Sequence, residues 1–249
     1  MAGHPHQVAQ RFDELDDDQL RRQLVQANRV LAVYGVVDGW GHVSVRSNSR
    51  PDRFYLARSI APATVDLADL RELDVATGET VGVGGSYLER HIHAGIYRAR
   101  ADVRAVVHNH AAALIPFGVT DVRLRPVSHV AGFLGGDVPV FEIRDEVGPA
   151  SAMLVDTPEL GDALARSLRD RPVVLMRGHG SSIAGPSLPH AVYRSIYAVQ
   201  NARLQAEAIR LGPVTYLSDE EARLASATID RSVERTWNLW ISSVPPVAS

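Results

Sequence analysis

The sequence predicts one α/β domain in which a central sheet is flanked by helices. Three observations point there. Short β-branched runs alternate with helix-periodic segments along the chain. The 249 residues suit one large α/β domain better than two small ones. No internal repeat, low-complexity linker or composition break divides them.

The elements follow in order. Residues 1–15 read as a loose arm. Asp16, Asp17 and Asp18 then precede a helix, where acidic groups favour the positive end of the dipole. Leu20, Leu24, Ala27, Leu31 and Tyr34 recur at three- and four-residue steps, and Gly35 stops the helix. GHVSVR at 41–46 alternates as a strand does, and a second strand is expected at Phe54–Leu56. RSIAPATVDLADL reads as a loop entering a short helix capped by Thr64 or Asp66. Glu72–Val83 reads as a hairpin about Ala76, Thr77 and Gly78, and Tyr87–Ala101 as a helix with Leu88, Ile92 and Ile96 four apart. Val103–Val107 is a buried strand running into His108-Asn109-His110. Strands are expected at Val138–Ile143 and Pro172–Met176, with helices at Pro158–Arg169, Pro189–Leu211 and 219–236. Trp237, Trp240 and a Pro-containing tail close the chain.

Composition excludes several functions. The net charge is −3, and the positive charge is arginine interspersed with Asp and Glu. That is a solvated, ion-paired surface with no basic footprint for nucleic acid. There are no cysteines, so neither disulfides nor thiolate metal sites can form. The polar N-terminus has no apolar segment of a signal peptide, and no apolar run approaches the ~20 residues that span a membrane. The expected setting is cytoplasmic.

The chemistry gathers at histidines. Four of the ten fall between positions 91 and 110. Alternate strand residues face one way, so His108 and His110 project together, as two imidazoles on one ion would. The alternative is a strand end with two exposed polar residues. Glu89 and His93 stand four apart on the preceding helix and share a face; Glu89 is placed to join the site or act as its base, and His93 to hold a ligand. His91 reads as a surface or structural residue; His4, His6 and His190 read as surface residues. RGHG follows the Pro172–Met176 strand, where flanking glycines let the backbone turn at His179 and admit a close neighbour.

Glu89, the helix after it, IYRARADVRAVVHNH, and about seventy residues later VVLMRGHG together resemble the class II aldolase/adducin family. GHVSVR stands where that family has Gly-Asn-x-Ser-x-Arg. The resemblance runs from about residue 18 to 240. It implies a three-layer α/β/α domain with a mainly antiparallel sheet, bounded as an arm at 1–15, a catalytic domain at 16–240 and a tail at 241–249. It implies His108, His110 and His179 as ligands of one divalent ion, zinc by preference, with manganese or iron also suited. Glu89 would be the catalytic acid/base. It also implies a homotetramer with sites near subunit contacts, where Trp237, Leu239 and Trp240 would be buried by a neighbour, close the site, or pack on their own core.

The sequence departs from the sugar-phosphate aldolases of that family. His42 replaces the Asn, Ser59-Ile60-Ala61-Pro62 the hydroxyl-rich loop, and Tyr87-Leu88 a Ser-Ser pair, so the donors a phosphate requires are missing. His42, Ser44, Arg58 and Tyr87 remain as candidate substrate contacts; Arg58 either forks onto a carboxylate or is a surface residue. The pattern resembles the branch containing hydroxyaromatic-acid decarboxylases. The expected function is a metal-dependent carbon–carbon lyase acting on an unphosphorylated hydroxy or keto carboxylate, a decarboxylase before an aldolase. The alternatives are an aldolase for a hydroxy-ketone or sugar phosphate, an iron-dependent oxygenase, an epimerase, and a non-catalytic binding module.

Overall fold

The computed structural model describes residues 12–247. The arm's first eleven residues, with His4 and His6, and the last two of the tail lie outside that range. Phe12–Glu14 is a 3₁₀ turn and Leu15 is buried, so the chain is anchored from residue 12, earlier than the loose arm implied.

Helix α1 spans Asp17–Val33. Asp16 caps it: its carboxylate accepts from Gln19 N at 2.8 Å, and Gln19 Oε1 accepts from Asp16 N at 2.9 Å. Gly35, at φ +65°, ends it. Strands β1 (His42–Arg46) and β2 (Arg53–Ala57) follow, then two 3₁₀ turns, Pro62–Thr64 and Leu67–Asp69, where the sequence suggested one short helix. Asp66 caps the second; Thr64 caps nothing, its hydroxyl donating back to Ala61 O. Strand β3 (Leu70–Asp74) turns through Ala76–Gly78, and only a single bridge, Leu73 to Thr80, represents the expected return strand. Helix α2 is Arg90–Ala99, shorter than expected at both ends. Strand β4 is Ala105–Asn109, followed by short helix α3 (Ile115–Val119). Of the expected strand at Val138–Ile143, only Val140–Phe141 pairs (β5), because the chain turns at once into α4, Arg144–Val147. Helix α5 (Pro158–Leu168), strands β6 (Val173–Met176) and β7 (Gly180–Gly185), and helices α6 (Leu188–Leu211), α7 (Asp219–Asp230) and α8 (Val233–Ser242) complete the chain.

The seven strands form one sheet in the order β3-β2-β1-β4-β7-β6-β5, antiparallel throughout except for β5 on β6. Side-chain alternation sends Val43, Val45, Ala105, Val107 and Ile183 to one face, against α1, α6 and α8. Phe54, Leu56, Val106, Val174 and Ala184 take the other, against α2 and α5. The result is the three-layer α/β/α domain expected. α2 and α5 meet closely at glycine: a Cβ on Gly95 would lie 2.3 Å from the Gly161 carbonyl oxygen. His91, buried in this region, is structural. Trp237 and Trp240 are buried in the chain's own core, Trp240 packing edge-on to Tyr34 at 5.6 Å, so neither awaits a neighbour; Leu239 is exposed. Among the described residues no helix is long and apolar enough to cross a membrane.

Candidate metal and substrate site

The site forms where the ends of β1, β4 and β7 meet the start of α2. On β1, Val43 and Val45 face the α1 side, so His42, Ser44 and Arg46 face α2. The register sets His42 opposite His108. His108 shares a face with Val106, and His110, two residues on, joins it. His179 lies in the turn joining β6 to β7. Gly178 makes that turn at φ +64°, and Gly180 must lack a side chain because a Cβ would lie 2.0 Å from the Asn109 carbonyl oxygen. His179 thus reaches the site from the turn of an antiparallel hairpin at the end of β6, the strand the sequence placed before it.

The structure brings Glu89, His108, His110 and His179 together, one donor atom from each lying within 4.8 Å of all the others. His110 Nε2 is 2.9 Å from His108 Nε2 and 2.9 Å from His179 Nε2. Glu89 Oε2 is 3.4 Å from His108 Nε2 and 3.5 Å from His179 Nε2. The surroundings orient the rings. His179 Nδ1 lies 2.7 Å from Met153 O, a carbonyl that can only accept, so Nδ1 carries a proton and Nε2 is the nitrogen turned toward the other donors. His108 Nδ1 lies 3.4 Å from Ser182 Oγ, which leaves His108 Nε2 turned toward the other donors. Three imidazole nitrogens and a carboxylate oxygen therefore converge on one point, a donor set that suits a divalent cation. Ligands about 2.1 Å from one centre and at right angles lie about 3.0 Å apart, close to the spacing seen.

Glu89 is the residue before α2 rather than part of it. Its Oε1 accepts from Val155 N at 3.0 Å, which aims Oε2 at the imidazoles. Burial pushes its carboxyl up, but contacts with His108 and His179 outweigh this and hold it well below the usual range, so it is ionised. Burial, reinforced by His108 and His179, pushes His110 down to about 4. His93 is fully buried, and where the sequence suggested that it holds a metal ligand in place it holds His42 instead: its Nε2 is 2.6 Å from His42 Nδ1.

Beside the cluster opens a cavity of about 590 Å³, whose lining includes Trp40, His42, Ser59, Ile60, Tyr87, Leu88, Glu89, His110 and Leu154. The four residues expected to touch substrate are distributed unevenly. His42 is on the wall. Tyr87 presents its ring, 4.5 Å from that of His42, while its hydroxyl donates to Ile60 O. Ser44 is enclosed behind His42, bonded to His93 and Tyr97, so direct contact with substrate is ruled out by burial. Arg58 lies off the lining, its Nε donating to Asp69 at 2.7 Å. His190 is half-buried rather than a surface residue, its Nδ1 2.7 Å from Ser187 Oγ. The sequence reading missed Trp40, Leu154 and the loop supplying Met153 O and Val155 N; that loop has no periodicity by which to place it.

The chain matches the family profile described as Class II Aldolase and Adducin N-terminal domain over residues 22–206. It is 36% identical over 248 residues to the decarboxylase tropJ of Talaromyces stipitatus, covering 90% of this chain and 93% of that protein. It is 30% identical over 202 residues to a 3,4-dihydroxyphthalate decarboxylase of Arthrobacter keyseri, covering 76% of this chain and 78% of the relative. Among solved structures, an L-fuculose 1-phosphate aldolase from Glaciozyma antarctica shares the fold, with a TM-score of 0.73 at 19% identity over 90% of this chain and 87% of that one. The protein is therefore a lyase and belongs to the class II aldolase and adducin family.

Proposed function

We propose that the reaction is decarboxylation of an unphosphorylated hydroxyaromatic acid, with one divalent ion, zinc by preference, held by His108, His110 and His179. The cavity wall carries this reading. Trp40, Ile60, Tyr87, Leu88 and Leu154 give it apolar and aromatic surfaces, and the Tyr87 hydroxyl is already engaged by Ile60. A flat ring is accommodated there; a phosphate, which needs several donors, is not. The decarboxylase names of the relatives point the same way.

The bound ion would supply Lewis acidity, stabilising the electron pair left on carbon when carbon dioxide departs. Glu89, held ionised with Oε2 facing the histidines, would take the proton of the substrate hydroxyl and return it to the ring carbon once the carbon–carboxylate bond has broken. The apolar wall would keep water from the carbanion-like centre. Trp40 and Leu88, 71% and 65% exposed at this cavity, support an assembly in which a neighbouring subunit covers the mouth, a homotetramer by family resemblance.

The test is elemental analysis of purified protein, followed by carbon dioxide release from a panel of hydroxyaromatic acids beside aldol cleavage of sugar phosphates. Bound zinc and release from at least one hydroxyaromatic acid are expected. Far more efficient cleavage of a sugar phosphate would overturn the substrate assignment.

A further inference from the structure

A chain of four buried side chains runs from the cavity wall into the core. His42 Nδ1 is 2.6 Å from His93 Nε2, His93 Nδ1 is 2.6 Å from Ser44 Oγ, and Ser44 Oγ is 2.7 Å from the Tyr97 hydroxyl. Each contact needs one donor and one acceptor, so the direction of one bond sets the rest. Tyr97 decides it. Its hydroxyl is buried, and Ser44 Oγ is the one acceptor in reach among the described residues. A buried hydroxyl without an acceptor is strongly disfavoured, so Tyr97 donates to Ser44. Ser44 then places its own proton on His93 Nδ1. His93, neutral, carries its proton on Nε2 and donates it to His42 Nδ1. His42 is left with its proton on Nε2, the nitrogen that has no protein partner among the described residues, on a ring that lines the cavity.

The remaining observations agree. Burial pushes His93 down to about 3, and burial with the neighbouring imidazoles pushes His42 well below its ordinary value, so both rings are neutral. Arg46 fixes the far end: its guanidinium lies 4.7 Å from the Tyr97 ring centroid and donates to Tyr97 O at 2.5 Å. The row does not deliver protons. Passing one out at His42 would leave a phenolate on Tyr97, and burial pushes that phenol up.

We propose that His93, Ser44 and Tyr97 are positioning residues that lock His42 as an Nε2–H donor, and that this N–H recognises an anionic oxygen of the substrate, its carboxylate. The ligand half rests on the hydroxyaromatic-acid reading above; the lock does not.

The test uses zinc-loaded protein with 15N-labelled histidine, in which ring-nitrogen shifts report the tautomer without turnover. The wild-type protein should show His42 protonated at Nε2, and Nδ1 protonation would overturn the lock. Ser44→Ala removes the hydroxyl that donates to His93 Nδ1, freeing that nitrogen to carry the proton. It should shift His42 toward the Nδ1–H form at unchanged zinc content. The probes are 2,3-dihydroxybenzoate and catechol, a pair differing by the carboxylate. Ser44→Ala should weaken the acid by about tenfold, the loss of one charge-assisted hydrogen bond, and leave catechol unchanged. His42→Gln, which keeps a donor, should retain more affinity for the acid than His42→Leu. Equal losses for acid and catechol would overturn the assignment of the N–H to the carboxylate.

Discussion

Replacing Gly180 with alanine asks whether β-sheet pairing imposes the metal geometry. The new Cβ would lie 2.0 Å from the Asn109 carbonyl oxygen and 2.9 Å from His110 Cα. Ordinary contact begins near 3.4 Å, so β4 and β7 must part locally by about 1.4 Å. They would part where Asn109 pairs with Ser181, between the backbone that carries His108 and His110 and the backbone that carries His179. Overpacking of this kind costs about 1–3 kcal/mol. At roughly 2–4 °C per kcal/mol for a chain of this length, the apo-protein should melt about 2–12 °C lower. The separation of the His110 and His179 Nε2 atoms, now 2.9 Å, should grow by a similar distance. An ion needing about 2.1 Å to each nitrogen then loses one ligand. Zinc should therefore stabilise the variant far less than the wild type, because stabilisation by a ligand follows its affinity for the native state. Scanning calorimetry with zinc and with chelator, beside zinc titration, reads both effects. Gly178→Ala is the control: its φ of +64° makes alanine cost about 1–2 kcal/mol, with no comparable backbone collision. A Gly180→Ala protein melting within about 1 °C of wild type, with wild-type zinc affinity, would refute the reasoning.

Glu89→Gln should keep the metal, since three imidazoles remain, and lose about 10²–10⁴-fold in turnover; near-normal turnover would remove Glu89 from proton transfer. Dialysis against a chelator should abolish carbon dioxide release, and zinc or manganese should restore it; activity that persists in metal-free protein would contradict the proposed centre. Light scattering should report a tetramer at micromolar concentration, whereas a stable monomer would leave the exposed Trp40 and Leu88 without the proposed cover.

The parts legible in the sequence were those with a strong period or a local chemical signature. Asp16 capping α1, the apolar steps of α5, and the β-branched runs of β1, β4 and β6 all state their structure locally. Strand β7 did not, because Gly180-Ser181-Ser182-Ile183-Ala184-Gly185 holds one β-branched apolar residue and reads as a polar loop. Its buried serines find partners about seventy residues away, Asn109 donating to Ser181 and His108 Nδ1 lying 3.4 Å from Ser182. Helix α8 was hidden for a similar reason: Trp237 and Trp240 stand three apart, but a tail was expected after a single long helix, where Arg231 and Ser232 interrupt α7 from α8. The grouping of Glu89, His108, His110 and His179 rested on motif order. The roles of Ser44 and His93 did not, since they depend on α2 lying across the face of β1 so that positions 42, 44 and 46 meet positions 93 and 97.

The same packing bears on substrate class. β1 aims its polar face at α2, so its hydroxyl and guanidinium groups are spent inside the protein: Ser44 on His93 and Tyr97, and Arg46 on the carbonyls of Pro51, Tyr97 and Val103. Arg58 is held by Asp69, and the Tyr87 hydroxyl by Ile60. The cavity retains His42, Ser59 and the Trp40 indole N–H as side-chain donors. A phosphate short of two hydrogen bonds loses about 2–6 kcal/mol. An aromatic ring that hides about 100 Å² of its faces against Trp40, Tyr87 and Leu88 gains about 2.5 kcal/mol at ~25 cal/mol per Å². The two effects have opposite signs for the two substrate classes, and together they separate their affinities by roughly 4.5–8.5 kcal/mol. A carboxylate requires little more than the one N–H that His42 offers, with its ring on the apolar wall and its hydroxyl toward the three histidines. The wall, more than the metal cluster, therefore favours the proposed unphosphorylated aromatic acid over a sugar phosphate.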